Sequence, residues 1–242
     1  MATLQKPRPI LACVQEACRQ LALAQPAQVY GSLDETAALM GSVANLAGIL
    51  LADAFNWQDL QKTLTITGDG VTTNFPLPAD FGSIVDNTGW SLTIRRPVLV
   101  LNPQQWASVS AWLGASFYIS PCCRLYQNEV QFISAPPVGS ITFQYRMDTW
   151  ALLGVSPFTR LQYMTQDTDV PQFDWLMMVL AIKVKFLEQK NMDTNAAQSD
   201  LSDRYAQLTQ RDELAPTLSL SGGVMGGFRF LDGYNTSDTN FG

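Results

Sequence analysis

Histidine is absent from this chain of 242 residues, and charge of either sign is scarce. Without an imidazole there is no Ser-His or Cys-His catalysis, so lysine, carboxylate or tyrosine would have to serve as acid or base. Charged side chains make up 15% of the sequence, against roughly 25% in an average soluble protein. A surface so poor in charge is weakly hydrated and is covered by a partner at modest desolvation cost. Basic clusters are missing too. Lys6 with Arg8, Arg95-Arg96, and Lys183 with Lys185 are too small to track phosphates, and the net charge of −6 and pI near 4.6 oppose nucleic-acid binding. An acidic wall is compatible with DNA passing by without adhering.

The four cysteines, Cys13, Cys18, Cys122 and Cys123, show no metal-ligand spacing. They read as free, partly buried thiols of a reducing cytoplasm. MATLQKPRP is polar and broken by proline before Ile10, so no secretion signal is expected in it. The most hydrophobic run, Ala37 to Ala52, falls short of the roughly 20 residues a bilayer needs and holds Ser42 and Asn45, so it reads as a buried helix.

What is present divides by periodicity. Ile10, Val14, Ala17, Cys18 and Leu21 recur at helical spacing up to Pro26. A second helix is expected from Ser32, with a Ser-x-x-Glu capping box to Glu35 and a stripe of Leu39, Val43, Leu46 and Leu50. The short loop from Gln25 to Gly31 makes the two an antiparallel pair. Beyond Trp57 the period becomes two, and Leu64 and Ile66, the turn Gly68-Asp69-Gly70 and the run Val71 to Leu77 predict a hairpin. An extended piece from Trp90 to Val100 follows, then a short helix from Asn102-Pro103 bearing Trp106, Val109, Ser110 and Leu113. Strands are expected at Phe117 to Ile119, at Leu125 to Ile133 with a bend at Gln127-Asn128, and at Ile141 to Tyr145, in one antiparallel sheet of about five or six strands.

Helical signal returns with a proline-led start at Asp169-Val170-Pro171-Gln172, running to about Gln189, and again from Thr194 to Glu213 with Ala197, Leu201, Tyr205 and Leu208 on one face. The fold class is therefore α+β. The expected architecture is a four-helix bundle of two N-terminal and two C-terminal helices, with an inserted small antiparallel β domain and an extended C-terminal tail. The boundaries are residues 1–61 for the first helical pair, 62–150 for the β insert, 151–215 for the second pair and 216–242 for the tail. The tail keeps Leu218, Leu220, Phe228, Phe230, Leu231, Tyr234 and Phe241 within a Gly- and Ser-rich stretch. Low hydrophobicity is what keeps a tail inert, so this one reads as a segment that orders on a partner.

Chemistry-bearing motifs are few. Asp167 and Asp169 could pass for paired carboxylates, but they precede an expected helix start, where the helix dipole favours negative charge. Gly222-Gly223-x-x-Gly226-Gly227 lacks the helix and lysine of a phosphate loop. Trp57, Trp90, Trp150 and Trp175 sit at changes of periodicity and read as core anchors. No cofactor, metal site or catalytic residue is assigned.

Motif order carries one resemblance. Phe55-x-Trp57-x-x-Leu60, Leu64-x-Ile66-x-Gly68, Leu77-Pro78-x-Asp80-Phe81, Asn87-Thr88-x-Trp90, Gln105-Trp106, Phe143-x-Tyr145 with Trp150, Asp167-x-Asp169-x-Pro171 and the ending Asp238-Thr239-Asn240-Phe241-Gly242 appear in that order. Together they resemble the head-to-tail adaptor, or connector, family of tailed bacteriophages of the short-tailed kind. The resemblance implies a non-enzymatic virion protein of the neck, assembled in the host cytoplasm and outside any membrane. It implies a twelve-fold ring of identical chains that binds the portal protein above and the tail nozzle, with tail fibre proteins, below. DNA would cross the ring without specific binding, and the tail from Thr217 would reach the portal. A tail nozzle or fibre-anchoring protein is the neighbouring alternative, and a cell-wall glycan hydrolase using paired carboxylates the remote one.

Overall fold

A computed structural model describes residues 8–111 and 121–213. In chain order the elements are α1 (Ile10–Gln20), α2 (Glu35–Ala54), a 3-10 turn at Gln58–Leu60, β1 (Gln61–Gly68), β2 (Asn74–Pro76), β3 (Phe81–Ile84), β4 (Trp90–Ser91), β5 (Arg96–Pro97), β6 (Leu99–Val100) and α3 (Pro103–Ala111). Then come β7 (Cys122–Tyr126), β8 (Glu129–Phe132), β9 (Gly139–Met147), β10 (Ala151–Leu153), β11 (Ser156–Leu161), β12 (Val170–Pro171), α4 (Trp175–Gln189) and α5 (Asn195–Glu213). Helix and sheet are thus both present, in an α+β arrangement. The chain divides into a helical unit, residues up to 61 and from 147 onward within the described range, and a β unit, residues 62–146.

The helical unit is organised by α4. Met177 to Ile182, Val184, Phe186 and Leu187 are all buried, so this helix is apolar almost all round and sits at the centre of its unit, against α1, α2 and α5. α1 buries Ile10, Cys13, Val14, Ala17 and Cys18. Its leading amides are met by tertiary carbonyls: Ile10 N–H donates to Asp169 C=O at 2.8 Å and Leu11 N–H to Asp167 C=O at 3.3 Å. The helix stops at Gln20, before the predicted Pro26, because Ala22 turns left-handed at φ 54° and Leu23 N–H closes back on Cys18 C=O.

α2 corrects two expectations. Its N-cap is Asp34, whose carboxylate accepts from Thr36 N–H, while Ser32 Oγ accepts only from Asp34 N–H. The expected Ser32 to Glu35 box therefore does not form, since the helix begins at Glu35 itself. Its buried face joins Met40, Val43 and Leu51 to the small residues Ala37, Gly41, Ala44, Ala47 and Gly48, so of the expected stripe Val43 is buried and Leu39 packs on the core, while Leu46 and Leu50 are 40% and 43% exposed. Close approach explains the choice: a Cβ on Gly48 would lie 2.1 Å from the ring of buried Trp150, and one on Gly41 3.1 Å from Val29. α2 has the 20 residues and the apolar composition to cross a bilayer, but half of that stretch is buried inside the unit.

The segment from 151 to 171, taken from sequence as part of a helical pair, forms a three-stranded antiparallel sheet in the order β11-β10-β12. Val170–Pro171 is one of its two edge strands, where a missing N–H is tolerated, and α4 starts at Trp175, four residues past Pro171, on the N-cap Asp174.

The β unit holds two sheets where one was expected. One contains β1-β9-β4-β5 with β3 also on β9, and the other has the order β2-β8-β7-β6, with β6 and β7 parallel. β1 and β2 therefore do not form the predicted hairpin. The Asp69 carboxylate accepts from Val71 N–H, Thr72 N–H and Thr72 Oγ, and this turn sends the chain from one sheet to the other. The predicted extended piece 90–100 breaks into a tight β4–β5 hairpin, with Arg95 left-handed at φ 53°, followed by β6. Gln127 and Asn128, at φ 50° and 62°, form the two-residue turn joining β7 to β8. Ile66, Val98, Cys123, Val130, Phe132, Ile141 and Phe143 are the core of this unit. α3 starts with a reciprocal cap in which Gln105 N–H donates to Asn102 Oδ1 and Asn102 N–H to Gln105 Oε1. Of its predicted face Val109 is buried, Trp106 half-buried and Ser110 exposed. Leu113 and the expected strand at 117–119 lie outside the described residues.

Candidate functional site

Asp167 and Asp169 are the acids that the sequence puts forward as a carboxylate pair, and the helical unit spends both on its own backbone. Asp169 is fully buried, and its carboxylate accepts from Gly154 N–H at 3.2 Å, Thr165 N–H at 2.8 Å and Gln166 N–H at 2.9 Å. Asp167 accepts from Val29 N–H at 3.0 Å and Tyr30 N–H at 2.9 Å. Together they pin three loops and, through their carbonyls, the start of α1. The expected reason for their charge, a helix start directly after them, is not what the structure shows. They belong to the loop ahead of β12 and satisfy backbone amides directly, with α4 beginning further along.

Asn45 of α2 extends this network by pairing with the Met164 backbone in both directions, donating at 3.0 Å and accepting at 2.8 Å. The Tyr30 hydroxyl beside it titrates well above its ordinary range, chiefly because it is buried and further because Asp169 and Asp167 are negative. The Tyr30 phenol is therefore held protonated at neutral pH.

A second cluster forms a cleft of about 140 Å³ where the 3-10 turn, the approach to α4 and the end of α5 meet. Trp57, Phe173, Met177 and Leu208, all buried, make its floor. Trp57 is fixed by its Nε1–H bond to Leu51 C=O at 2.8 Å and by edge contacts with Phe55, Phe173 and Tyr205. Three acids surround the floor and differ in state. Asp174 caps α4 through Met177 N–H and takes a two-pronged ion pair from Arg204, at 3.1 and 2.8 Å. Asp212 accepts from Gln58 N–H at 3.0 Å, and burial, partly offset by that bond and reinforced by neighbouring Asp59, raises its pKa above the usual carboxylate value. Asp59 is exposed. Sequence reasoning missed this cleft because its parts lie far apart along the chain.

Of the tryptophans read as anchors, Trp57 and Trp150 are buried in the helical core, with Trp150 stacked on Phe173. Trp90 and Trp175 are half-buried, and Arg8 lies 4.4 Å over the Trp175 ring. All four cysteines are free and buried, and burial pushes the Cys13 and Cys123 thiols up to about 12, so they are protonated and inert at neutral pH. Cys122 beside Cys123 is shifted upward for the same reason. Among the described residues no group of three or more Cys, Asp or Glu is placed to hold a metal ion. The tail residues Leu218, Leu220, Phe228, Phe230, Leu231, Tyr234 and Phe241, with the Gly222 to Gly227 motif, lie outside the described residues. No family model matches the chain, and no curated protein matches it.

Proposed function

We propose that this chain is a virion structural protein, a head-to-tail adaptor whose copies close a ring between portal and tail nozzle and surround the DNA exit path. The motif order from Phe55 to Pro171 supports the family. The observation that carries a structural reading over a catalytic one is the engagement of Asp167 by two and of Asp169 by three backbone N–H donors. A glycan hydrolase needs two apposed carboxylates facing a sugar, one of them free to move a proton.

In the finer fold we propose, α1, α2, α4 and α5 act as one four-helix bundle and the β unit is its insert. Two features fit an assembly component. α2 carries no charged residue between Glu35 and Asp53 while exposing Leu46 and Leu50, a surface that a neighbour covers at little desolvation cost. The net charge of −6 disfavours adhesion of passing duplex. The tail from Thr217, with its alternating aromatics, is suited to strand addition or groove docking on the portal. The test mixes purified chain with the portal protein of the same phage. A ring-shaped complex seen by electron microscopy is the expected outcome, lost when residues 217–242 are deleted. Failure of the intact chain to bind portal overturns the adaptor reading.

A further inference from the structure

The cleft beside Trp57 joins an apolar floor to an acidic mouth, and the tip of the β4–β5 hairpin carries Arg95-Arg96, the one adjacent pair of basic residues in the sequence. We infer that these are the two halves of one contact between copies, with Arg95 and Arg96 of one chain seated in the cleft of the next. This rests on the ring reading above and names the residues that would join its members.

Charge decides the direction of the fit. At the cleft, Asp174 is neutralised by Arg204, so Asp59, Asp212 and Arg211 set the sign of the mouth, and it is negative. Asp212 is the acid that a cation would relieve, because its charge is partly desolvated and lies beside Asp59. Trp57, at 8% exposure the most open of the floor residues, offers apolar surface for an arginine side chain to cover. Arginine suits such a place, being more weakly hydrated than lysine and able to stack and fork toward carboxylate together. On the hairpin, both arginines are exposed and neither has an ion-pair partner among the described residues. The left-handed Arg95 and the pairing of Ser91 with Arg96 fix the tip in a tight turn, so little order is lost on docking. Two different patches on one chain make a heterologous contact, the kind that builds a ring when its rotation closes.

Charge reversal in mixtures tests the contact on the full chain. One variant carries Asp59→Arg with Asp212→Arg, and the other Arg95→Glu with Arg96→Glu. Sedimentation velocity over a concentration series reads self-association, and circular dichroism confirms that each variant is folded. Wild type is expected to associate, and each variant alone to dissociate about a hundredfold more readily, because like charges then face each other. An equimolar mixture is expected to reassemble, since each variant's tip then meets an oppositely charged cleft. If wild type associates and each variant alone does so equally, or if the mixture of folded variants stays monomeric, the cleft contact is overturned while the ring reading stands. If wild type stays monomeric at every concentration, both fall.

Discussion

The helical unit fastens its loops around one fully buried acid, whereas the loop-fastening acids of the β unit are open or partly open to solvent. Asp169 is fully buried under three backbone N–H donors, and Asn45 reaches inward from α2 to the Met164 backbone. The corresponding devices of the β unit are the Asp69 turn, which is open to solvent, and Asp80, which joins Lys62 and Tyr145 at a partly exposed site. The glycines divide in the same way. Gly48 is needed for packing, because Trp150 occupies the space where a side chain would begin, whereas Gly70 has open space around it and a φ of 79°. One unit is specified by what fits inside it, and the other by how its chain turns. Water screens and replaces surface interactions but not buried ones, so the helical unit should be the more sensitive to single substitutions.

The largest effect is expected at Asp169. Asp169→Ala removes the shared acceptor of three N–H groups in a fully buried position and should cost about 3 kcal/mol. A 242-residue chain would then melt lower by roughly 6–12 °C. Asp169→Asn, which keeps one acceptor oxygen, should fall between the variant and wild type in urea denaturation. A cost for the alanine variant no greater than that of an exposed acid would break the contrast between the units.

The glycines give a smaller and paired effect. Gly48→Ala drives a Cβ to within 2.1–2.5 Å of three Trp150 ring atoms, and overpacking of that kind costs about 2 kcal/mol. Near-UV circular dichroism should change as well, because a buried indole must move. Gly70→Ala meets no neighbour and should cost about 1 kcal/mol from its left-handed backbone alone, with an unchanged aromatic spectrum. Equal aromatic changes in both variants would show that packing governs both sites.

How far sequence reached follows the same division. Signals that repeat within one element were readable: the apolar phase of α1, Ala197 and Leu208 on α5, and the Asn102-Pro103 start of α3 all reappear in the structure. Signals that depend on what lies opposite were not. Leu46 and Leu50 look like a core stripe until Trp150 and Tyr30 claim the close space along Gly48 and Gly41. Pro171 looks like a helix start until Ala151 pairs with it at a sheet edge. Gly68-Asp69-Gly70 looks like a hairpin turn, but β1 and β2 find different sheets, and Gly70 N–H goes to Pro136 C=O. The cleft was the least legible feature, because Trp57, Asp174 and Asp212 carry no joint pattern along the chain.

Asp80 gives the smallest expected effect and the sharpest sign. Burial alone would raise its pKa, but the hydrogen bonds from Lys62 and Tyr145, with the Lys62 charge, outweigh burial and hold it below the ordinary 3.8. A carboxyl whose folded pKa is depressed stabilises the native state above its unfolded pKa, and that contribution is lost as pH falls through the folded value. Asp80→Asn should therefore cost about 0.5 kcal/mol at neutral pH, after allowance for solvent screening of a partly exposed pair. The deficit should shrink as pH drops below 3.8 and vanish once the native carboxyl is protonated. Added salt should narrow it at neutral pH, because ions reach this site. An effect that matched Asp169→Ala in size, or that grew toward low pH, would place Asp80 among the buried fasteners and remove the distinction between the two units.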